Sequence, residues 1–498
     1  MNALAEEQQP LLGPILEDAE DAISVRHGGI TEILDFEVGD KEDPRQWAKS
    51  FRWFIVLLLA CMAFTVTFTC IGVVPVATRI VDELSGPDAS TTSTSALLVT
   101  IWELGEAAGP LVTAPLSELF GRYPVMNICN LGFIFFTLLA VSSKSTSLFI
   151  VARMLTGVTV ASNVLNPAII GDLFDSDERG SAMSLIMLAP LVGGAVGPAI
   201  SGAIAQTLGW RWVLLIATGL AVCCEILFLA CFRETYKMSI LKKRARKLQE
   251  QNEGYDEVAK SKNGSGSDVK KLWHAITRPF AVLFGSKVLI LLSLFGSVAF
   301  SFFYVLSTSL PNILQDFYDF TPAQIGSAFM TFSVGSFLGV LVCNTLLDRI
   351  YIYLRSQSPT KSGRPEHRLP LSIIGGALLP LSVAAYGWIA QTHLPVVLLL
   401  GSVGFQGFTL LLAMIPLSAY VVDAFGNYSA SAMTGVVVTR CLMGTFLPLA
   451  TGPLAEWLGW GWGCTCLAAL SAVLAVCPVL VARYGVVWRR GSEFTRDT

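Results

Sequence analysis

Leu208-Gly209-Trp210-Arg211-Trp212 returns, 250 residues later, as Leu458-Gly459-Trp460-Gly461-Trp462. The same offset holds upstream of this block. Ser181-Ala182-Met183 matches Ser431-Ala432-Met433, Gly194 matches Gly444, Pro198 matches Pro448 and Gly202 matches Gly452. Asp172-Leu173-Phe174 stands nine residues before its serine, and Asp423-Ala424-Phe425 eight before its own. The chain runs through about twelve apolar stretches, and the second six read as a divergent copy of the first. A duplicated helical half in a bilayer is the architecture of alternating-access carriers, so the repeat points to transport.

Composition agrees with a membrane class. The chain is 53% hydrophobic and 14% charged, with a mean hydropathy of +0.61, too apolar for a soluble protein of this size. Charge-free runs at 53–78, 123–143, 180–210, 288–315 and 320–347 are each long enough to cross about 30 Å of hydrocarbon as helix. The expected spans are 53–75, 95–118, 124–143, 148–171, 181–206, 211–231, 287–311, 322–346, 369–389, 395–421, 428–455 and 460–483. The fold class is therefore all-α, a membrane protein of twelve transmembrane helices in two pseudo-symmetric six-helix bundles. An even count puts both termini on one side. Lys and Arg crowd that side, from Arg233, Lys237, Lys242, Lys243 and Arg244 to Arg349, Arg355, Lys361, Arg364 and Arg368, which assigns it to the cytoplasm.

The domain reading follows: an acidic cytoplasmic tail over 1–52, expected to be disordered; a first half over 53–231; a cytoplasmic central loop over 232–286, mobile where Lys, Glu, Gly and Ser dominate; a second half over 287–484; and a short cytoplasmic tail over 485–498. No signal-peptide pattern opens the chain. Glu7-Gln8-Gln9-Pro10-Leu11-Leu12 has the form of an acidic dileucine sorting signal, or is simply solvated tail. Net charge of −3 argues against nucleic-acid partners. The eleven cysteines lie in or beside apolar spans without metal-ligand company, the four histidines lie in loops or tails, and no phosphate-binding loop appears. No metal, cofactor or catalytic group is expected, and the chain reads as a monomer that is not an enzyme.

Charges inside the bilayer are expensive unless paired or facing water. Glu103 and Glu106 sit at i, i+3 on the second span, hence on one face and near mid-membrane. They either handle protons or cations or form a polar cluster that binds neighbouring helices. Arg440 takes the register of Pro190 in the first half, so the repeat gives it no counterpart; it contacts an anionic or polar solute or packs on backbone carbonyls. Glu118, Gly121, Arg122, Asp172 and Arg179 gather at the cytoplasmic ends of the first half, and Asp348, Arg349 and Asp423 at those of the second. They form either an inner gate or ordinary solvated helix ends. Gly193, Gly194, Gly197 and Gly202, with Pro198, give the fifth span a side-chain-free surface and a candidate hinge, although packing alone also selects small residues. Aromatic residues Trp102, Phe302, Phe303, Tyr304, Phe405 and Phe408, with Phe64 and Phe68, are candidates to line a cavity suited to an apolar organic solute, or pack against lipid.

Ala114-Pro115-Leu116-Ser117-Glu118-Leu119-Phe120-Gly121-Arg122-Tyr123-Pro124 resembles the signature loop of the major facilitator superfamily, in the form used by fungal twelve-span drug:proton antiporters. Arg153-Met154-Leu155-Thr156-Gly157 resembles the fourth-span motif, and Gly193-Gly194-Ala195-Val196-Gly197-Pro198 with Gly202 the antiporter motif. Arg233-Glu234-Thr235-Tyr236 and Arg364-Pro365-Glu366-His367-Arg368-Leu369-Pro370 resemble further signatures of that fungal group. The loop departs from the usual pattern at Ala114, Leu119 and Tyr123. The resemblance covers roughly 43–485 and implies proton-coupled export of a hydrophobic organic compound, such as a drug, toxin or fungal secondary metabolite, across the cell membrane rather than the vacuolar one. It also implies that Arg153 faces the interior and influences the protonation of nearby carboxylates; the alternative is a salt bridge or a set of hydrogen bonds to backbone carbonyls that only locks helices together. Uptake of a small organic nutrient or polyamine is the other functional reading.

Overall fold

The computed structural model describes residues 24–27, 30–33, 36, 39–85, 92–174, 176–251, 265–357 and 363–495, with side chains described apart from those of 24–27, 30–33, 92, 176–177, 245–251, 265–272, 274–275 and 427. The Glu7–Leu12 pattern lies outside the described residues. Among the described residues, eleven continuous helical stretches are long and apolar enough to cross a membrane. The last, Ser429–Arg490, contains 62 residues, about 93 Å of straight helix, far more than one bilayer needs. It folds back at Gly459, where φ is 76° and ψ 166°, and so crosses twice, giving twelve spans. Gly209, its repeat counterpart, opens the sixth span with φ 96° and ψ 162°. Only glycine adopts this region cheaply. The block that exposes the duplication is thus the turn before the last span of each half.

The first span is Lys49–Ile71, extended by a 3-10 turn and the helix Ala77–Ser85. The second is Thr92–Phe120, the third Arg122–Val141, the fifth Ser176–Thr207 and the sixth Trp210–Cys231. The fourth is broken into Thr146–Val158 and Ser162–Leu173. The second half comprises Lys287–Tyr318, Pro322–Gln357, Pro370–Gln391 and Val396–Phe425. Its eleventh span starts at Ser429–Phe446, passes a 3-10 turn at Leu447–Ala450 and ends before Gly459. The eighth span continues past its expected end at 346 to Gln357, carrying helix beyond the apolar run. Below, "basic face" is the end bearing the span termini rich in Lys and Arg, and "far face" the opposite end.

Two stretches are more structured than the sequence suggests. Ser24–His27 and Ile30–Ile33 pair as an antiparallel hairpin within the expected disordered tail. The central connector contains the helices Lys237–Gln251 and Ser265–Gly285, because its Lys, Leu, Ala and Glu are helix formers.

Small residues set the packing. Within the first half, the second and fourth spans meet at Gly105 and Gly157, where a Cβ would collide with the other helix's backbone. Between halves, the fifth and eighth spans touch reciprocally: Gly202 lies on the carbonyl of Pro322, and Gly326 on that of Pro198. Without a hydrophobic driving force between helices in lipid, such backbone approach supplies the association. The apolar core is one continuous cluster across both halves toward the far face, where Trp210 and Val213 join Phe302 and Leu310. Toward the basic face it divides into two, one per half.

Candidate functional site

Midway along the second span, Glu103 and Glu106 are 2% and 9% exposed. Both reach across the seam between halves. Tyr304 of the seventh span donates its hydroxyl to Glu103 Oε1 at 2.6 Å. The guanidinium of Arg440, on the eleventh span, stands 3.9 Å from Glu106 Oε1 and lies over the Phe300 ring. From its own half Glu106 accepts from Asn163 Nδ2 at 2.6 Å and from Trp102 Nε1 at 3.2 Å. Glu103 Oε2 and Arg440 Nε are buried with no partner among the described residues. Gly444, the repeat counterpart of Gly194, sits beside Glu103 and Tyr304; a side chain there would enter the site.

The local sequence explains this convergence. Gly157 lets the fourth span press on the backbone of Trp102 and Glu106. The helix then breaks over 159–161, where Thr159 and Val160 are β-branched and Thr159 Oγ1 turns back to the carbonyl of Thr156. Helix resumes at Ser162, and Asn163 lands within reach of Glu106. Arg153, 1% exposed, donates to the carbonyls of Thr69 and Cys70, each at 2.9 Å, and stacks over Trp102. Of the two readings left open, the backbone one describes its hydrogen bonds. Its contact with the site passes through Trp102, whose indole donates to Glu106.

Ligand atoms of Glu103, Glu106 and Cys441 all lie within 4.8 Å of one another, a spacing that a metal ion fits. Arg440 already supplies a positive charge beside Glu106, and an ion would have to compete with it and with the Tyr304, Trp102 and Asn163 donors.

The aromatic candidates divide. Trp102 and Tyr304 belong to the site as hydrogen-bond donors. Phe303 is partly buried and packs edgewise on Tyr304 and against Phe332. Phe302 is fully buried in the core shared by both halves, so it closes the seam rather than lining a cavity. Phe405 is 43% exposed on the outer surface of the tenth span, in register with exposed Leu398, and faces lipid. Phe408 stacks on Phe405 and packs against a small cluster with Cys343 and Leu412. Phe64 and Phe68 stack together where the fifth span's Gly193 and Gly197 approach the first. That glycine stripe therefore serves two contacts: Gly193, Gly194 and Gly197 face the first span, while Pro198 and Gly202 meet the eighth.

At the basic face, Arg122 Nε pairs with Asp172 at 3.3 Å, and its NH1 donates to Ser117 at 2.6 Å. All three lie in the first half, so this pair braces one half and does not bridge the gate. Gly121, with φ 100°, presses on the Glu234 carboxylate. Glu234 in turn accepts from the Arg122 and Tyr123 backbone N–H groups at 2.8 and 3.3 Å, capping the third span. Burial, followed by the nearby Glu118 charge, pushes the Tyr236 phenol up to about 12, so it stays a neutral surface under Arg122, which lies 4.7 Å over its ring. In the second half Arg368 takes both Asp348 and Asp423, at 2.8 and 2.6 Å. Arg349 is exposed and outside that cluster, a departure from the expected gate set. Arg179 donates to the carbonyls of Gly171 and Phe174. The cross-seam group is Glu118: it shares a small cavity with Arg278 of the connector helix and with Ser431 and Thr434 of the other half. Arg278 carries no signal in the sequence beyond charge, whereas Glu234 and Arg368 lie in motifs that sequence analysis singles out.

The profile described as Major Facilitator Superfamily matches residues 53–447. The MFS-type transporter penM of Penicillium rubens is 31% identical over 459 residues, covering 91% of this chain and 89% of the relative. The efflux pump radE of Floropilus chiversii is 30% identical over 466 residues, covering 93% and 86%. Among solved structures, a D-xylose–proton symporter superposes with a TM-score of 0.66 at 14% identity, covering 86% of this chain and 97% of the other. At that identity the likeness is one of fold.

Proposed function

The chain belongs to the Major Facilitator Superfamily and is a multi-pass membrane transporter of small organic solutes, and from that premise we propose that it exports a hydrophobic organic compound in exchange for protons. The basic face is cytoplasmic in this reading, following the positive-inside asymmetry, and the cell membrane is its location. The observation that carries the proposal is the carboxyl pair Glu103 and Glu106, buried at the seam and facing Tyr304 and Arg440 of the opposite half.

Neutralising Glu106 with a proton removes its attraction to Arg440, and neutralising Glu103 weakens the charge-assisted bond from Tyr304. Either event loosens the halves at the seam. Protonation from one side and release to the other then couples proton movement to the exchange between inward- and outward-facing states. Apolar surroundings and few free charges suit a hydrophobic solute, and the name of the Floropilus relative supports export.

The test is expression in a pump-deficient yeast strain with a panel of fluorescent apolar compounds. Export predicts lower retention of at least one compound, restored to the control level by a protonophore. Higher retention than in the empty-vector strain would reverse the direction, and protonophore-insensitive efflux would remove the proton.

A further inference from the structure

A second concave site lies at the basic face, away from the seam. Four chain segments converge on a cavity of about 550 Å³: Lys41 and Trp47 ahead of the first span, Phe120 at the tip of the second, Arg233 after the sixth, and Lys243 on the connector helix. One acid beside it and one in its lining are held by donors. Asp40 is paired with Arg244 at 2.6 Å, and the Glu234 carboxylate accepts backbone N–H groups from Arg122, Tyr123, Thr235 and Tyr236. Among the described residues, Lys41, Arg233 and Lys243 form no ion pair, and the two carboxylates of the lining, Glu42 and Glu234, leave the three cations in excess. Arg233 instead lies over the Phe51 ring, 5.5 Å from its centre, which holds the guanidinium at the pocket edge.

A solvated charge run explains the lysines alone. It does not explain a concave pocket whose rim is aromatic. Phe120 is 65% exposed at the end of a membrane span, and Trp47 lines the same pocket, the pairing of aromatic and basic groups found at headgroup depth. An anion that also carries an acyl chain satisfies both parts: the phosphate meets the cations while the chain covers Phe120. We propose that this pocket binds the phosphorylated headgroup of an anionic membrane lipid. The assignment rests on the basic face being cytoplasmic, where anionic lipids concentrate, and is independent of which solute is carried or in which direction.

The test uses purified full-length protein in detergent, titrated with phosphatidylinositol and, separately, phosphatidylcholine, with bound lipid counted by native mass spectrometry. Phosphatidylinositol should bind more tightly than phosphatidylcholine. K41Q and K243Q, both at exposed lysines, should each weaken it about fivefold and leave phosphatidylcholine unchanged. F120S should weaken the lipid but not soluble inositol phosphate. Equal binding of the two lipids, or undiminished phosphatidylinositol binding in the K41Q/K243Q double variant, would overturn the site. Inorganic phosphate displacing the lipid with matching affinity would make a free anion the ligand and overturn the lipid assignment. Because binding is read without flux, failure here leaves the export test standing, and the converse holds.

Discussion

Replacing Glu106 by Gln keeps the side chain's shape and removes its charge. At 3.9 Å from Arg440, the lost attraction is about 4 kcal/mol at an effective dielectric of 20, an upper bound before desolvation is subtracted. With the amide oxygen in the place of Oε1, the glutamine keeps the Asn163 bond between the second and fourth spans and gives up the Trp102 bond, which lies within the second span, so the two spans should hold their places. The E106Q variant then stands permanently in the protonated arrangement. In inside-out vesicles with an acidic lumen, a two-unit pH difference supplies about 2.7 kcal/mol per proton, enough for roughly 100-fold accumulation at one proton per solute. Wild-type protein should concentrate its solute in the lumen. E106Q should reach a lumen-to-medium ratio near one, while still exchanging labelled for unlabelled solute without a gradient. Gradient-driven accumulation by E106Q equal to wild type would refute the role of Glu106, and loss of exchange as well would mean that the substitution broke the carrier rather than the coupling.

Other outcomes follow from the same geometry. Y304F should leave Glu103 Oε1 without its donor and cost about 1.5–3 kcal/mol across the seam, seen as increased labelling of a cysteine placed at Ser95 in a thiol-free background; unchanged labelling would separate Tyr304 from seam closure. G121A should destabilise the first half by about 1–3 kcal/mol, since alanine is strained at this φ and meets the Glu234 carboxylate; an unfolding midpoint in detergent equal to wild type would contradict the cap. E118Q should open the basic face to thiol labelling from that side more than R122A does, because of the two only Glu118 shares a cavity with the other half; the reverse order would restore Arg122 to the gate. His367 is held below its ordinary 6.5, chiefly by burial and then by Arg364, and its buried Nδ1 has no partner among the described residues. The unfolded chain therefore binds more protons just below pH 6.5, stability falls as pH falls through that window, and H367Q should flatten the thermal-stability profile there.

The repeat made the twelve-span fold legible because a turn between spans needs a particular residue. Gly209 and Gly459 share a backbone conformation closed to other residues, so the block around them kept its form while the rest of the copies diverged. Glu103 and Glu106 were legible because charge in a bilayer is costly wherever it sits. Their partners were not. A hydroxyl on Tyr304 or an amide on Asn163 costs little in a sequence, and neither lies within a helical turn of the glutamates it serves. The gate illustrates the same limit. Helix ends rich in charge point to ion pairs, yet only packing decides that Arg122 and Asp172 pair within one half while Glu118 faces the other. Phe302 and Phe405 show it for aromatic residues: spacing cannot tell the seam from the lipid side without the rotation of each helix.

The seam itself is built asymmetrically along the membrane normal, and that bears on how the halves move. Toward the far face the apolar core runs through both halves, and the fifth and eighth spans touch backbone to backbone at Pro198–Gly326 and Gly202–Pro322. Toward the basic face the cores are separate, and Glu118 and Arg278 line a small cavity between them. Opening the far face must break these apolar contacts, beside a polar cavity lined by Arg79, Asp82, Asp316 and Glu456. The charges at Glu106, buried, and Arg440, partly buried, lie between the two regions, where a change of one charge acts on both. Under the proposed exchange, a proton there would act on both closures at once, which a proton at either face alone could not.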